Sequence, residues 1–150
     1  KVGSTKIELM YKPSAQMTAR PLRKFASGGE VSRVMLACKV VLGESDDCDT
    51  RVFDEVDAGV GWATAVALAE VLAQLAKTHH VIVVTHLPQV AFMASKQYVV
   101  SKTEEHNALP VTSLTEVSGT QREEEIARML SGSITEASLA HAHELLSEVR

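Results

Sequence analysis

The chain has 150 residues, 45% of them hydrophobic, and a formal net charge of −4. That is enough to bury one core and about the size of one domain, while apolar runs of only a few residues exclude a helical membrane span or a secretory leader, so a soluble cytoplasmic protein is expected. The acidic balance argues against a general nucleic-acid-binding surface, and Cys38 and Cys48, which lack C-x-x-C spacing, read as reduced bystanders.

In chain order, Lys6 to Tyr11 alternates polar and apolar residues, the pattern of a half-exposed strand. Arg20, Arg23 and Lys24 then form a local basic cluster, read as a solvated approach or a phosphate-side field rather than a nucleic-acid patch. Next comes Ala26-Ser27-Gly28-Gly29-Glu30-Val31-Ser32-Arg33, a helix start. Ser27 can accept from the Glu30 amide while the Glu30 carboxylate reaches back to the Ser27 amide, the reciprocal arrangement of a capping box. Gly28 and Gly29 leave the first-turn amides bare, so an anion such as phosphate can approach both the amides and the positive end of the helix dipole. The plain alternative is an ordinary capped helix. Val31, Val34, Met35, Cys38, Val41 and Leu42 recur at helical spacing behind it.

Val52-Phe53-Asp54-Glu55-Val56-Asp57-Ala58-Gly59 is a short apolar stretch running into two adjacent carboxylates, a third acid and a glycine. In open parallel sheets the carboxyl ends of strands line the ligand crevice. Neighbouring strand residues face opposite sides, so one carboxylate can hold magnesium through water while the other orients an attacking water. The alternative is a strand-to-turn boundary with solvated acids. Ala63, Val66, Ala67, Val71 and Leu75 mark the next helix, and a β-branched strand from Val81 to Thr85 ends at His86. A strand, a helix and a second strand imply a right-handed parallel crossover. His86 is either a turn residue or an imidazole placed to hydrogen-bond a terminal phosphate. Pro88 opens a helix to Ser95, then follow a strand around Tyr98 to Ser101, a polar turn from Glu104 to Pro110, a hairpin strand from Val111 to Val117, and helices from Arg122 to Leu130 and from Glu136 to Val149. One α/β domain over residues 1–150 is the economical reading.

Together the glycine-serine helix start, Asp54-Glu55, the Asp57 turn and Val84-Thr85-His86-Leu87-Pro88-Gln89-Val90-Ala91 resemble the C-terminal lobe of an ABC-type ATPase head. Within that superfamily they are most similar to the RecN family, the bacterial SMC-like proteins of DNA double-strand-break repair. Ala140-His141-Ala142-His143-Glu144-Leu145-Leu146 is similar to that family's final helix. The resemblance implies a mostly parallel sheet flanked by helices. It implies that Ser27, Gly28 and Gly29, supported by Glu30 and Arg33, contact the γ-phosphate of ATP bound on an opposite head. Asp54 would be the Walker B aspartate acting on Mg2+, Glu55 the residue that polarises the attacking water, Asp57 the start of the D-loop across a dimer interface, and His86 the switch histidine. The implied partners are an N-terminal Walker A lobe of the same protein, a second head in a homodimer, and DNA through the full-length protein, with no membrane and a cytoplasmic, nucleoid-associated location.

No Gly-Lys dipeptide occurs in the 150 residues, so no G-x-x-x-x-G-K-[ST] phosphate loop is present and the chain alone is expected to be inactive as an ATPase. Lys1 in place of an initiator methionine fits a piece of a longer chain. Three features depart from the family pattern, one being that the segment before Pro21 carries almost no motif signal. Arg51 stands where the family's Walker B strand is apolar, and at a strand's first position it is expected to snorkel outward. Trp62 stands where a small residue is usual, and is expected to cover its own helix rather than a partner head. Other readings are weaker. Gly59-Val60-Gly61 imitates a dinucleotide turn, but Thr64 replaces its third glycine and Asp54-Glu55 would repel the pyrophosphate. His79, His80, His141 and His143 lack zinc spacing. A transporter nucleotide-binding domain would carry glutamine at Glu30. A non-hydrolysing, nucleotide-gated dimerisation and docking module remains the alternative to an ATPase.

Overall fold

The structure, a computed structural model, describes residues 3, 7–12, 14–22, 27–42, 48–103 and 109–149. Ala26, Arg23, Lys24, Lys6 and residues 104–108 of the expected polar turn lie outside the described residues. Two compact units are present, residues 1–59 with 79–84 and residues 60–78 with 85–150.

In the first unit, β1 (Met10–Tyr11) pairs antiparallel with β2 (Arg20–Pro21), so of the described residues of the expected Lys6–Tyr11 strand it is Met10 and Tyr11 that are in a ladder. Helix α1 spans Gly28–Leu42. Its inward row is Gly29, Arg33 and Leu36, which an i, i+4, i+7 spacing places on one face. Leu36 is buried, whereas Met35, Cys38 and Val41 from the expected stripe are exposed. Several apolar residues surround α1, so sequence spacing permits more than one phase, and the contact made by Gly29 and Arg33 selects the observed one.

Strand β3 (Thr50–Phe53) runs parallel to β4 (His80–Val83) with Thr50 opposite His80 and Phe53 opposite Val83. The ladder is extended by Val84, whose amide donates to the Phe53 carbonyl at 2.9 Å. Parallel pairing is thus as the sequence predicts. Arg51 and Phe53 point inward, while Val52, Ile82 and Val84 stay exposed, so this pair buries one face rather than the two usual for parallel strands. Arg51 does not snorkel outward. It is the second residue of β3 and only 5% exposed. Its Nη1 donates to the Lys39 carbonyl in the last turn of α1 at 3.0 Å, and its Nη2 lies 2.9 Å from His79 Nε2. A buried guanidinium is tolerated here because it satisfies orphan carbonyl oxygen at a helix C-terminus, where the dipole favours a cation.

In the second unit, α2 (Trp62–Leu75) buries Ala65, Leu68, Ala69, Leu72 and Leu75. This differs from the stripe read from sequence, because α2 is apolar nearly all round and its pattern cannot fix which side turns inward. Trp62 opens the helix and is 59% exposed. Helix α3 (Pro88–Phe92) is shorter than predicted. Strands β5 (Gln97–Thr103) and β6 (Val111–Val117) form an antiparallel hairpin, followed by α4 (Thr120–Ser131) and α5 (Glu136–Glu148). Ala91, Ile126, Ala127 and Ala142 make the core here, with Phe92, Met129, Leu130, Leu139 and Leu146 packed around it.

Arg122 explains why α3 stops early. Its Nη2 donates to the carbonyls of Ala91 at 3.3 Å, Phe92 at 3.1 Å and Ala94 at 2.6 Å, and its Nε donates to Gln97 Oε1 at 3.3 Å. One cation from α4 thereby caps the C-terminus of α3. Arg122→Ala is expected to destabilise the chain by about 2 kcal/mol, the scale of hydrogen bonds to a charged group lost with carbonyls left partly buried. Denaturant unfolding checks this, and an unchanged midpoint would show that water replaces the guanidinium at no cost.

Candidate functional site

The N-terminus of α1 carries the predicted reciprocal cap. Ser27 Oγ accepts from the Glu30 amide at 3.3 Å, and Glu30 Oε2 accepts from the Ser27 amide at 2.8 Å. This uses two of the first-turn donors and leaves those of Gly28 and Gly29 outside the cap, as the start of any helix requires.

What faces those glycines is the turn after β3. Asp54 and Glu55 lie beyond the strand, not within it. Glu55 has φ +54°, a left-handed conformation uncommon for a residue with a side chain, and the Ala58 amide donates to its carbonyl at 3.0 Å. The expectation that strand alternation sends the two carboxylates to opposite faces is therefore corrected: a left-handed turn residue, not pleating, aims Glu55. Both carboxylates are exposed, whereas Val56 is fully buried and Asp57 is 2% exposed.

Helix and turn meet closely. A Cβ on Gly28 would stand 2.6 Å from Glu55 Oε2, so the carboxylate rests where only a glycine allows it. A Cβ on Gly29 would stand 2.8 Å from the Ala58 carbonyl oxygen and 2.9 Å from the Ala58 Cβ. Two side chains of α1 bind the backbone of the turn. Ser32 Oγ donates to the Asp54 carbonyl at 2.9 Å, and Arg33 Nη1 donates to the carbonyls of Val56 at 3.1 Å and Ala58 at 2.8 Å. The family resemblance implies that Arg33 supports the glycine turn and implies nothing for Ser32. The available signal was spacing, since Arg33 follows Gly29 by one helical turn and shares its face.

Ser27, Gly28, Gly29, Glu30, Asp54, Glu55 and Asp57 are thus brought together in the first unit. His86 is in the second unit, exposed, in the extended stretch between β4 and α3, where Thr85 Oγ1 accepts from the Leu87 amide at 3.0 Å. Among the described residues, His79 lies against Arg51, His80 Nδ1 lies 3.4 Å from Thr50 Oγ1, His141 3.7 Å from Glu144, and His143 3.1 Å from Glu123.

The donor set suits a nucleotide with magnesium. Asp54 and Glu55 offer exposed carboxylate oxygens, the ligand type of a hard cation. Among the described residues no group of three or more His, Cys, Asp or Glu converges as a metal site. The N-terminus of this 15-residue helix fits an anion, and the Glu55 carboxylate rests against Gly28 there.

Among the described residues no helix is long and apolar enough to cross a membrane. No protein-family model matches the chain. It is 46% identical over 149 residues to DNA repair protein RecN of Streptomyces coelicolor, covering 99% of this chain and 26% of that protein. It is 48% identical over 145 residues to DNA repair protein RecN of Deinococcus radiodurans, covering 97% of this chain and 25% of the other. The Mycobacterium leprae protein of the same name is 48% identical over 149 residues, with 99% and 25% covered. The chain therefore spans about a quarter of the length of the curated relatives it matches. A solved structure described under ATP-driven dimerization and DNA stimulated activation of SMC ATPases aligns with a TM-score of 0.53 at 22% identity, covering 98% of this chain and 74% of the other, which establishes the fold. Over these residues the chain is similar to the C-terminal part of those RecN proteins, and it shares the α/β fold of that SMC ATPase structure.

Proposed function

We propose that this chain supplies the C-terminal half of an ATPase head that binds and hydrolyses ATP across a dimer of heads, in DNA double-strand-break repair and recombination. One observation carries the reading: the capped glycine turn of α1 and the Asp54–Ala58 turn, separate in sequence, are bound to each other through Gly28, Gly29, Ser32 and Arg33. Phosphoryl transfer asks for positioning and charge stabilisation more than covalent chemistry, and these are the groups for it.

In this reading Ser27, Gly28 and Gly29, held by Glu30, receive the γ-phosphate of ATP bound on the second head. Asp54 would hold Mg2+ through water, Glu55 orients and polarises the attacking water, the turn from Asp57 is the D-loop, and His86 donates to the γ-phosphate. Magnesium, when bound, neutralises charge on the phosphate oxygens. The partners are an N-terminal Walker A lobe of the same protein, a second head, and DNA reached through the full-length protein, in the cytoplasm at the nucleoid. The second reading, a nucleotide-gated dimerisation module without hydrolysis, draws support from the place of Glu55, whose carboxylate rests against Gly28.

The test is reconstitution. The chain purified alone is expected to show no magnesium-dependent ATPase above background, because it contains no phosphate loop to hold the β-phosphate. Joined to the rest of the protein, it is expected to turn ATP over. Clear turnover by the chain alone would overturn the shared site, and an inert complete protein that still dimerises with ATP would favour the docking module.

A further inference from the structure

The contacts between α1 and the Asp54–Ala58 turn go further than bringing two segments together. Ser32 and Arg33 lie within one helical turn of Gly29 in α1, so their backbone moves with the α1 N-terminus. Among the described residues, their side chains donate to main-chain carbonyls of the other segment: Ser32 to Asp54, and Arg33 to Val56 and Ala58. Main-chain contacts fix where a turn sits without depending on its side chains. Arg33 Nη1 is also 3.0 Å from the place a Gly29 Cβ would take, so the guanidinium fills the gap beside the second glycine. Between these three anchored carbonyls stands Glu55, at φ +54° with its carboxylate against Gly28. A residue with a left-handed backbone is held there by its surroundings, and here the surroundings are these hydrogen bonds.

We propose that Ser32 and Arg33 are positioning residues for ATP hydrolysis, which tie the Glu55 turn to the α1 N-terminus so that an anion arriving at Ser27–Gly29 and the carboxylate that orients water are placed by one rigid element. The inference rests on the ATPase reading given above. Neither residue touches nucleotide. Each acts through the backbone on which Glu55 is carried, and a misplacement of about 1 Å in such a group costs on the order of a hundredfold in rate while binding is retained.

The experiment measures kcat and KM for ATP in the complete protein carrying Arg33→Ala, Arg33→Lys, Ser32→Ala, Glu55→Gln and the Arg33→Ala/Glu55→Gln pair, with thermal melts of each. Arg33→Ala is expected to lower kcat by about tenfold or more with KM changed less than about twofold. Ser32→Ala, which removes one neutral hydrogen bond, is expected to lower kcat by about fivefold. Arg33→Lys keeps donors and a positive charge but can serve only part of the two-carbonyl contact, so it is expected to recover part of the loss. On the Glu55→Gln background, Arg33→Ala is expected to change residual turnover less than about twofold, because the group it positions has gone.

Raised KM with unchanged kcat would overturn the proposal, placing Arg33 in nucleotide binding. So would additive losses in the double variant, or a lysine variant no better than alanine. If Arg33→Ala fails to fold, the lysine and Ser32 variants still decide the question, and both retaining full kcat would refute it. If Glu55→Gln alone turns ATP over like the unaltered protein, it is the ATPase role of Glu55 that has failed, and the positioning role falls with it.

Discussion

Glu55→Gln in the complete protein is expected to slow ATP turnover by about a hundredfold or more while ATP-bound dimers accumulate. The substitution keeps shape and one hydrogen-bonding oxygen but removes the negative charge that, in the proposed role, polarises the attacking water. Its backbone demand is the same, since glutamine at φ +54° meets the same steric cost as glutamate. Binding should survive, because the glycine turn, its Ser27–Glu30 cap and Asp54 are untouched. Loss of turnover with retained dimers separates chemistry from assembly. Equal turnover in both forms would leave Glu55 as an anion resting at a helix N-terminus, and the docking module would then be the better account. The measurement is steady-state ATP hydrolysis beside a size determination with and without ATP.

Much of this site was legible because its logic is local. The cap needs only Ser27 and Glu30 three residues apart, and both hydrogen bonds are formed. The parallel pairing of β3 with β4 follows from two β-branched runs separated by a helix. What the sequence could not supply is long-range. The inward side of α1 was read one step off because Met35, Cys38 and Val41 fit helical spacing as well as Leu36 does. The choice was made by Gly29 and Arg33 meeting the turn after β3. In α2 the same ambiguity arose because nearly every position is apolar. Arg51 looked like an intruder in an apolar strand until its partners, the Lys39 carbonyl and His79, were in place. Glu55 was expected to obey pleating, but pleating ends at Phe53, and nothing local announces a left-handed glutamate. Charged and polar residues whose partners are distant backbone groups are the ones a linear reading misplaces.

The two glycines of the α1 turn separate in their response to substitution, and the difference tests whether the contact with the Asp54–Ala58 turn is rigid. In a helix, alanine is favoured over glycine by about 0.5–1 kcal/mol, so propensity alone predicts that either change stabilises. At Gly28 the obstacle is Glu55 Oε2, the end of an exposed and flexible side chain, which can swing away. Gly28→Ala is therefore expected to leave the melting temperature equal or higher and to lower turnover, since Glu55 must leave its place. At Gly29 the obstacles are the Ala58 carbonyl oxygen and Cβ, with Arg33 Nη1 at 3.0 Å behind them. Backbone cannot rotate out of the way. Gly29→Ala must push the turn off α1, stretching the two Arg33 hydrogen bonds to Val56 and Ala58, at a cost of about 3 kcal/mol for overpacking that exceeds the propensity gain. The displacement carries Glu55 with it, so turnover in the complete protein is expected to fall by on the order of a hundredfold even under conditions where the variant stays folded. Denaturant unfolding of this chain and ATPase assays of the complete protein read the two effects separately. If Gly29→Ala melts no lower than Gly28→Ala, the turn yields freely to the helix, and its hold on Glu55 is too loose to place a catalytic carboxylate.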